Sequence, residues 1–314
     1  MSAENNKENH TQEQELWERI STTEGIERAE VLDELSHIAY QRDSYSECIQ
    51  LVDTSIEIYY KLGMDSHVRE LIHAYEGKAL SLRKLDRLAE SADTFEDIAK
   101  LHQINDDTEG FARAKRAAGC DWYEVKEWQK CIDGHSAARD AIDPEATPMS
   151  MGTDLLNIGM AQAKLGQHHA AIENFLRARQ LFKEAKNPEY VNWVDQYATI
   201  SYSEIGNGPE ALFHAKHYFN YSKVAEELIL EGYALYYIGK AHILCEEFED
   251  AERTLTKALT LLTLEKTKDW EDILGANRSL AKALTALGRE DEAKERLERT
   301  KTIEETFCDD EEAA

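Results

Sequence analysis

The sequence predicts an all-α fold, a solenoid of about seven stacked helix pairs, and three observations carry that prediction. A small residue returns every 40 to 43 positions, at Ser36, Ala79, Gly119, Gly159, Thr199, Gly239 and Ala281. A second small residue follows each of these twelve positions later, at Cys48, Ser91, Cys131, Ala171, Ala211, Ala251 and Ala293. Only four prolines, Pro144, Pro148, Pro188 and Pro209, occur in 314 residues, and proline is the residue that breaks helix interiors. A period of this length belongs to repeated helix pairs that pack on their neighbours, not to one globular core.

Along the chain, residues 1 to about 11 read as disordered, and 11–20 as a short helix whose Leu16, Trp17 and Ile20 cap the first repeat. The repeat array is expected over 24–305, after an N-terminal segment of 1–23 and before an acidic tail of 306–314 that ends the stack. Between the second and third units, Asn105-Asp106-Asp107 reads as a helix N-cap. Residues 143–151, DPEATPMSM, hold two of the four prolines and are the best hinge candidate, with the array continuing across them. The fourth unit, 155–181, is the clearest: Leu155, Ile158, Gly159 and Gln162 fall at helical spacing, Gly166 ends that helix, and Ala171, Phe175 and Ala178 form a second stripe. So short a connection makes the two helices antiparallel. Glycine at 159 and alanine at 171 let the helix axes approach closely. In the fifth unit, Asn187-Pro188-Glu189 reads as N-cap, first-turn proline and dipole-complementing acid, and Gly208-Pro209-Glu210 starts the next helix in the same way. The scheme returns with Ile238, Gly239, Phe248, Ala251, Leu255 and Ala258, and again with Leu280, Ala281, Leu284, Gly288, Ala293 and Leu297.

These units resemble tetratricopeptide repeats. That family alternates a Leu-Gly pair, an aromatic, a small residue, a second aromatic and an alanine, and here the slots hold Ile158-Gly159, Gln162, Ala171, Phe175 and Ala178. The match is weakest around Ala79 and Thr199, where Lys78 fills a usually apolar slot and Ala215 and Tyr218 look size-swapped. The repeats exceed the usual 34 residues and lack the proline that closes the second helix. They are similar to the long-repeat branch, of about 40 residues, found in bacterial peptide-sensing regulators, kinesin light chains and cell-polarity adaptors. The resemblance implies a right-handed superhelix that binds peptides or proteins.

Composition narrows the function classes. The hydrophobic fraction of 42% supports a packed chain. No apolar run reaches the eighteen or so residues of a membrane span, and the polar first fifteen residues hold no signal-peptide segment. A cytoplasmic protein is expected. With 36 Lys+Arg against 62 Asp+Glu, the net charge of −26 disfavours nucleic acid and anionic membrane. The five cysteines include no CxxC, and Cys48 and Cys131 fill small-residue slots, which reads as packed thiols in a reducing compartment.

Neither a phosphate-binding glycine loop, nor HExxH, nor GxSxG is present, so no enzyme and no cofactor are expected. His168-His169 reads as turn surface. His214 and His217 face the same way at i, i+3 but show no third ligand in the sequence, so no metal is expected.

In the tetratricopeptide family the concave face is lined by positions six and three before the small residue and one, four and five after it. Its basic members here are Arg83, Lys84, Arg113, Arg116, Lys164, Lys240, Arg278 and Lys282, and its acidic members Glu30, Asp33, Glu76, Glu124 and Glu204. That net positive face in an acidic protein is expected to steer an acidic segment towards it. Tyr123, Met160, Trp193, Tyr233 and Tyr236 add apolar and aromatic anchors, and Asn157 a polar contact. The Lys/Asn clamp of chaperone-binding members is only partly matched by Arg116, Cys120, Thr153 and Asn157, which argues against a chaperone carboxylate as ligand. The leading expectation is a non-enzymatic scaffold or adaptor that holds a protein or peptide, with an acidic segment, in the concave groove. Alternatives are a peptide-sensing regulator, or a structural part of a larger, viral or cellular, assembly.

Overall fold

A computed structural model describes residues 3–142, 148–225, 227–264 and 270–311, with side chains from residue 12 to 305 within those ranges. Among the described residues every regular element is helical. Helix α1 (Ala3–Ile20) precedes seven hairpins: α2 (Gly25–Gln41) with α3 (Tyr45–Leu62), α4 (Val68–Lys84) with α5 (Leu88–Ile104), and α6 (Thr108–Glu124) with α7 (Trp128–Ala141). Next come α8 (Pro148–Lys164) with α9 (His168–Glu184), α10 (Pro188–Glu204) with α11 (Gly208–Ala225), α12 (Leu228–Leu244) with α13 (Phe248–Leu262), and α14 (Trp270–Ala286) with α15 (Glu290–Glu311). A 3-10 turn, Met64–Ser66, leads into α4.

The forty-residue period is now a length: helices of 17 residues alternate with turns of three, as from α4 through α6. In all nine three-residue turns the middle residue is left-handed, at Asp43, Asp86, Asp106, Lys126, Gly166, Lys186, Gly206, Glu246 and Gly288. The third turn residue donates its N–H to the carbonyl five positions before it, as Arg87 does to Leu82 and Asn187 to Phe182, both at 2.9 Å. This double-bonded cap satisfies carbonyls that a helix end otherwise leaves bare.

All fourteen small residues of the two series are buried. Their size is required where helices touch. A Cβ at Gly119 would lie 2.7 Å from His135 Cδ2, and one at Gly239 would lie 2.5 Å from Leu255 Cγ. Ser91 Oγ on α5 donates directly to the Ala79 carbonyl on α4 at 3.1 Å. The two irregular units also resolve. Lys78 reaches out to Asp53 on α3 at 2.6 Å, and Tyr218 is buried one turn beyond a buried Ala215, so the bulky group has moved along the helix.

The N-caps follow the sequence in part. Asp107 caps α6 by accepting from Gly110 N (2.9 Å), and Asn187 caps α10 by accepting from Tyr190 N (3.2 Å). For α11 the capping oxygen belongs to Asn207, one residue before the expected Gly208, since glycine has no side-chain oxygen to accept a hydrogen bond. The backbone expected to be disordered is helical from Ala3, and α15 carries the helix into the acidic tail as far as Glu311. In the proposed cap, Leu16 is buried, Ile20 packs on the core and Trp17 is exposed. Of the hinge candidate, 143–147 lie outside the described residues, and Pro148 opens α8.

Two compact units, Met1–Ala161 and Gln162–Ala314, divide the chain within α8. In the first unit α2 packs on α4; in the second α10 packs on α12 and α12 on α14. Within each unit, no two second helices of neighbouring hairpins meet among the described residues. First helices therefore line the inner side of each unit, which is where the sequence register places the candidate binding residues.

Candidate partner-binding face

In the first unit the candidate cations divide by what they already hold. Arg83 on α4 is committed to α6: its Nε lies 2.8 and 3.0 Å from the Asp121 oxygens, its Nη2 donates to the Ala117 carbonyl (2.9 Å), and its guanidinium stands over the Phe95 ring. Arg116 on α6 is committed in the same way to Asp154 on α8. Lys84 and Arg113 are exposed and make no ion pair or hydrogen bond among the described residues. Tyr123, half-buried, stacks edge-on against Trp128 at 5.0 Å, while Asn157 and Met160 are half-buried on α8.

In the second unit Lys164 and Lys282 are exposed without an ion pair among the described residues, and Arg278 pairs with Glu304 on α15. Trp193 is 42% exposed and leans on Tyr190, with ring centres 4.9 Å apart. Tyr236 is buried, its hydroxyl pushed up to about 12 by burial, and Lys240 sits above its ring. Tyr233 is half-buried. Four exposed cations without an ion pair among the described residues and one exposed indole are thus the groups that project, whereas Arg83, Arg116 and Tyr236 also build the stack.

The acids that hold these arginines went unseen in the sequence. Asp154 has no exposed side-chain surface and receives both Arg116 and His135, whose Nδ1 lies 3.0 Å from Oδ1. Asp195 on α10 is a second such centre: Arg179 Nε (2.7 Å) and His214 Nδ1 (2.6 Å) both meet its Oδ1. Burial raises the Asp195 carboxyl, but the His214 and Arg179 hydrogen bonds outweigh it and the net direction is down. Burial likewise opposes charge on His135, yet its contacts with Asp154 and Cys120 raise it overall. His135 occupies the slot that Phe175 and Leu255 fill in their hairpins, four residues after the small one, and a charge on that stripe is the signal the sequence offered.

Two further features lie off this face. His242, Glu247 and Asp250 bring ligand atoms within 4.8 Å of one another. His242 Nδ1 is already hydrogen-bonded to Glu247, and His102 pairs with Asp107 across an equivalent turn, so the group reads as a turn lock. A recess of about 560 Å³ lies among α9, α10 and α11, lined by Phe182, Val191, His217, Tyr221 and Val224, with the buried Asn192 Oδ1 unbonded within it. Burial lowers the His217 imidazole.

No protein-family model and no curated protein sequence matches the chain. Solved structures do. A tetratricopeptide repeat protein from Parabacteroides merdae aligns over 88% of this chain and 93% of its own, with TM-score 0.55 and 12% identity. A Rap protein complexed with competence and sporulation factor aligns over 90% and 79%, with TM-score 0.54 and 15% identity. Aspartyl phosphate phosphatase F from Bacillus subtilis aligns over 88% and 72%, with TM-score 0.53 and 13% identity. Likeness at this identity concerns the fold, and the fold is that of tetratricopeptide-like helical hairpins.

Proposed function

We propose that this chain is a non-enzymatic interaction adaptor whose first-helix face receives a protein or peptide segment rich in carboxylates. The observation that carries the reading is the pair of exposed cations Lys84 and Arg113, neither in a hydrogen bond or close ion pair among the described residues, on neighbouring first helices of an otherwise acidic chain of net charge −26; Arg113 acts on Asp107 only at longer range. Carboxylates of a bound segment replace water on these cations, and Tyr123 supplies an adjacent aromatic surface. In the second unit Lys164 and Lys282, with the exposed Trp193, extend the same chemistry. Because a similar fold carries the name of a phosphatase, the adaptor reading rests on this surface and not on the architecture.

The test is fluorescence anisotropy with a labelled twelve-residue peptide rich in Asp and Glu. Lys84→Glu combined with Arg113→Glu is expected to weaken binding at least tenfold, about 1.4 kcal/mol, with unchanged melting. Equal affinity for the variant, or no binding to the wild type, overturns the reading.

A second reading, a peptide-responsive regulator, is supported by the likeness to the Rap protein solved with competence and sporulation factor. It predicts a change in the radius of gyration when peptide saturates the protein, measured by small-angle scattering.

A further inference from the structure

We propose that Cys120 is a peroxide-reactive cysteine, activated by His135 and Asp154 and placed on the candidate partner face. Cys120 is exposed on α6, and its Sγ lies 3.9 Å from His135 Nε2 on α7. The opposite ring nitrogen, Nδ1, lies 3.0 Å from the fully buried Asp154. With Asp154 accepting from Nδ1–H, the Nε2 lone pair is turned to the thiol, which is the geometry that draws a proton from sulfur. Arg116 holds the other side of Asp154 and fixes the carboxylate in place.

The fold makes room for this contact. The imidazole lies against Gly119, where a Cβ would come within 2.7 Å of it, and Gly134 brings α7 up to the Lys115 carbonyl. The neighbouring charges are otherwise engaged: Asp121 by Arg83 of α4, and Lys115 by Glu96 of α5. Cys131 on α7 interacts electrostatically with Cys120, and burial pushes its own thiol up to about 12. Burial also raises the Cys48 and Cys245 thiols, whereas Cys120 is hydrogen-bonded to an imidazole.

In the reaction, His135 Nε2 takes the S–H proton and the thiolate attacks one oxygen of hydrogen peroxide. The S–O bond forms as the O–O bond breaks, and the leaving hydroxide takes the proton from imidazolium to become water. Sulfur is oxidised to a sulfenic acid while the peroxide is reduced. On the partner face this adds a polar oxygen beside Arg116 and Tyr123, so oxidation alters the surface on which a ligand would lie.

Site-resolved mass spectrometry of the full chain gives the test, with iodoacetamide at pH 6 and, separately, with hydrogen peroxide trapped by dimedone. At pH 6 Cys120 is expected to alkylate roughly fivefold faster than Cys245, because His135 stands beside its sulfur while burial pushes the Cys245 thiol up. Dimedone is expected on Cys120. His135→Gln, where it remains folded by circular dichroism, is expected to bring the ratio to about one. The comparison within the wild type stands even if that variant unfolds. A Cys120 rate no greater than that of Cys245, a ratio unchanged in folded His135→Gln, or dimedone absent from Cys120 overturns the proposal.

Discussion

Arg116 closes on Asp154 across two successive first helices: Nε lies 2.9 and 3.0 Å from the two carboxylate oxygens and Nη2 lies 2.9 Å from Oδ2, on a side chain with no exposed surface. A desolvated carboxylate that loses its cation costs more than the pair contributes while intact. Arg116→Ala is therefore expected to destabilise the protein by about 3 kcal/mol in urea unfolding. Reversing the charge of Arg116 would therefore disturb the fold along with the candidate face, whereas Lys84 and Arg113 probe the face itself. Those two are exposed and make no hydrogen bond or close ion pair among the described residues.

Stability is expected to fall as pH rises above the ordinary histidine range, on account of His135. Its folded value is raised above the ordinary 6.5, the Asp154 and Cys120 contacts outweighing burial, so the native state binds its proton more tightly than the unfolded state. That contribution is fully present below the unfolded value and disappears as pH climbs through the folded one. Urea midpoints at pH 6.5 and 8.5 measure it, and His135→Gln is expected to flatten the difference. No flattening in a folded variant would assign the slope elsewhere.

The acid limb belongs to Asp195. Its folded value lies below the ordinary 3.8, because hydrogen bonds from His214 and Arg179 outweigh its burial. The stability it contributes is complete above the unfolded value and lost as pH falls through the folded one. Asp195→Asn is expected to lower stability at pH 7 and to shrink the further loss between pH 4 and pH 2, followed by circular dichroism.

The left-handed turn residues allow a gain of stability. Lys126, Lys186 and Glu246 occupy the conformation that Gly166, Gly206 and Gly288 adopt in equivalent turns. A side chain there costs roughly 1–2 kcal/mol, partly offset by the entropy glycine loses on folding. Lys186→Gly is expected to raise stability by about 0.5 kcal/mol, and Gly166→Ala to lower it by about 1 kcal/mol. Since a Cβ at 166 meets nothing within 4 Å, the second value isolates backbone conformation from packing.

The hairpins were legible because their requirement is local and repeated. Gly119 and Gly239 recur at one slot where helices touch, and each three-residue turn restarts the next helix in register. The candidate face was legible as a list of positions, but not in its division between ligand contact and structure. Arg83 and Lys84 are adjacent in sequence, yet one is bound to Asp121 on the next first helix and the other is free. That difference depends on which acid the neighbouring hairpin presents, and Asp121, Asp154 and Asp195 lie 38, 38 and 16 residues from the arginines they hold. His135 and Asp154, 19 residues apart on different helices, meet for the same reason and left no motif to search for.

The close helix approach makes its own prediction at Gly239. On α12 a methyl group there would lie 2.5 Å from Leu255 Cγ and 2.6 Å from Cδ2 on α13, well inside van der Waals contact. Leu255 is fully buried, so it yields only by leaving its rotamer or by pushing the helices apart. Gly239→Ala is accordingly expected to cost about 1–3 kcal/mol, more than the helix propensity that alanine adds. Combining it with Leu255→Ala removes the clashing atoms. If overpacking is the cause, the cost of the alanine at 239 becomes smaller in that background, and a double-mutant cycle in urea reads the coupling directly. Additive losses would instead place the role of Gly239 in the backbone of α12 rather than in its contact with α13.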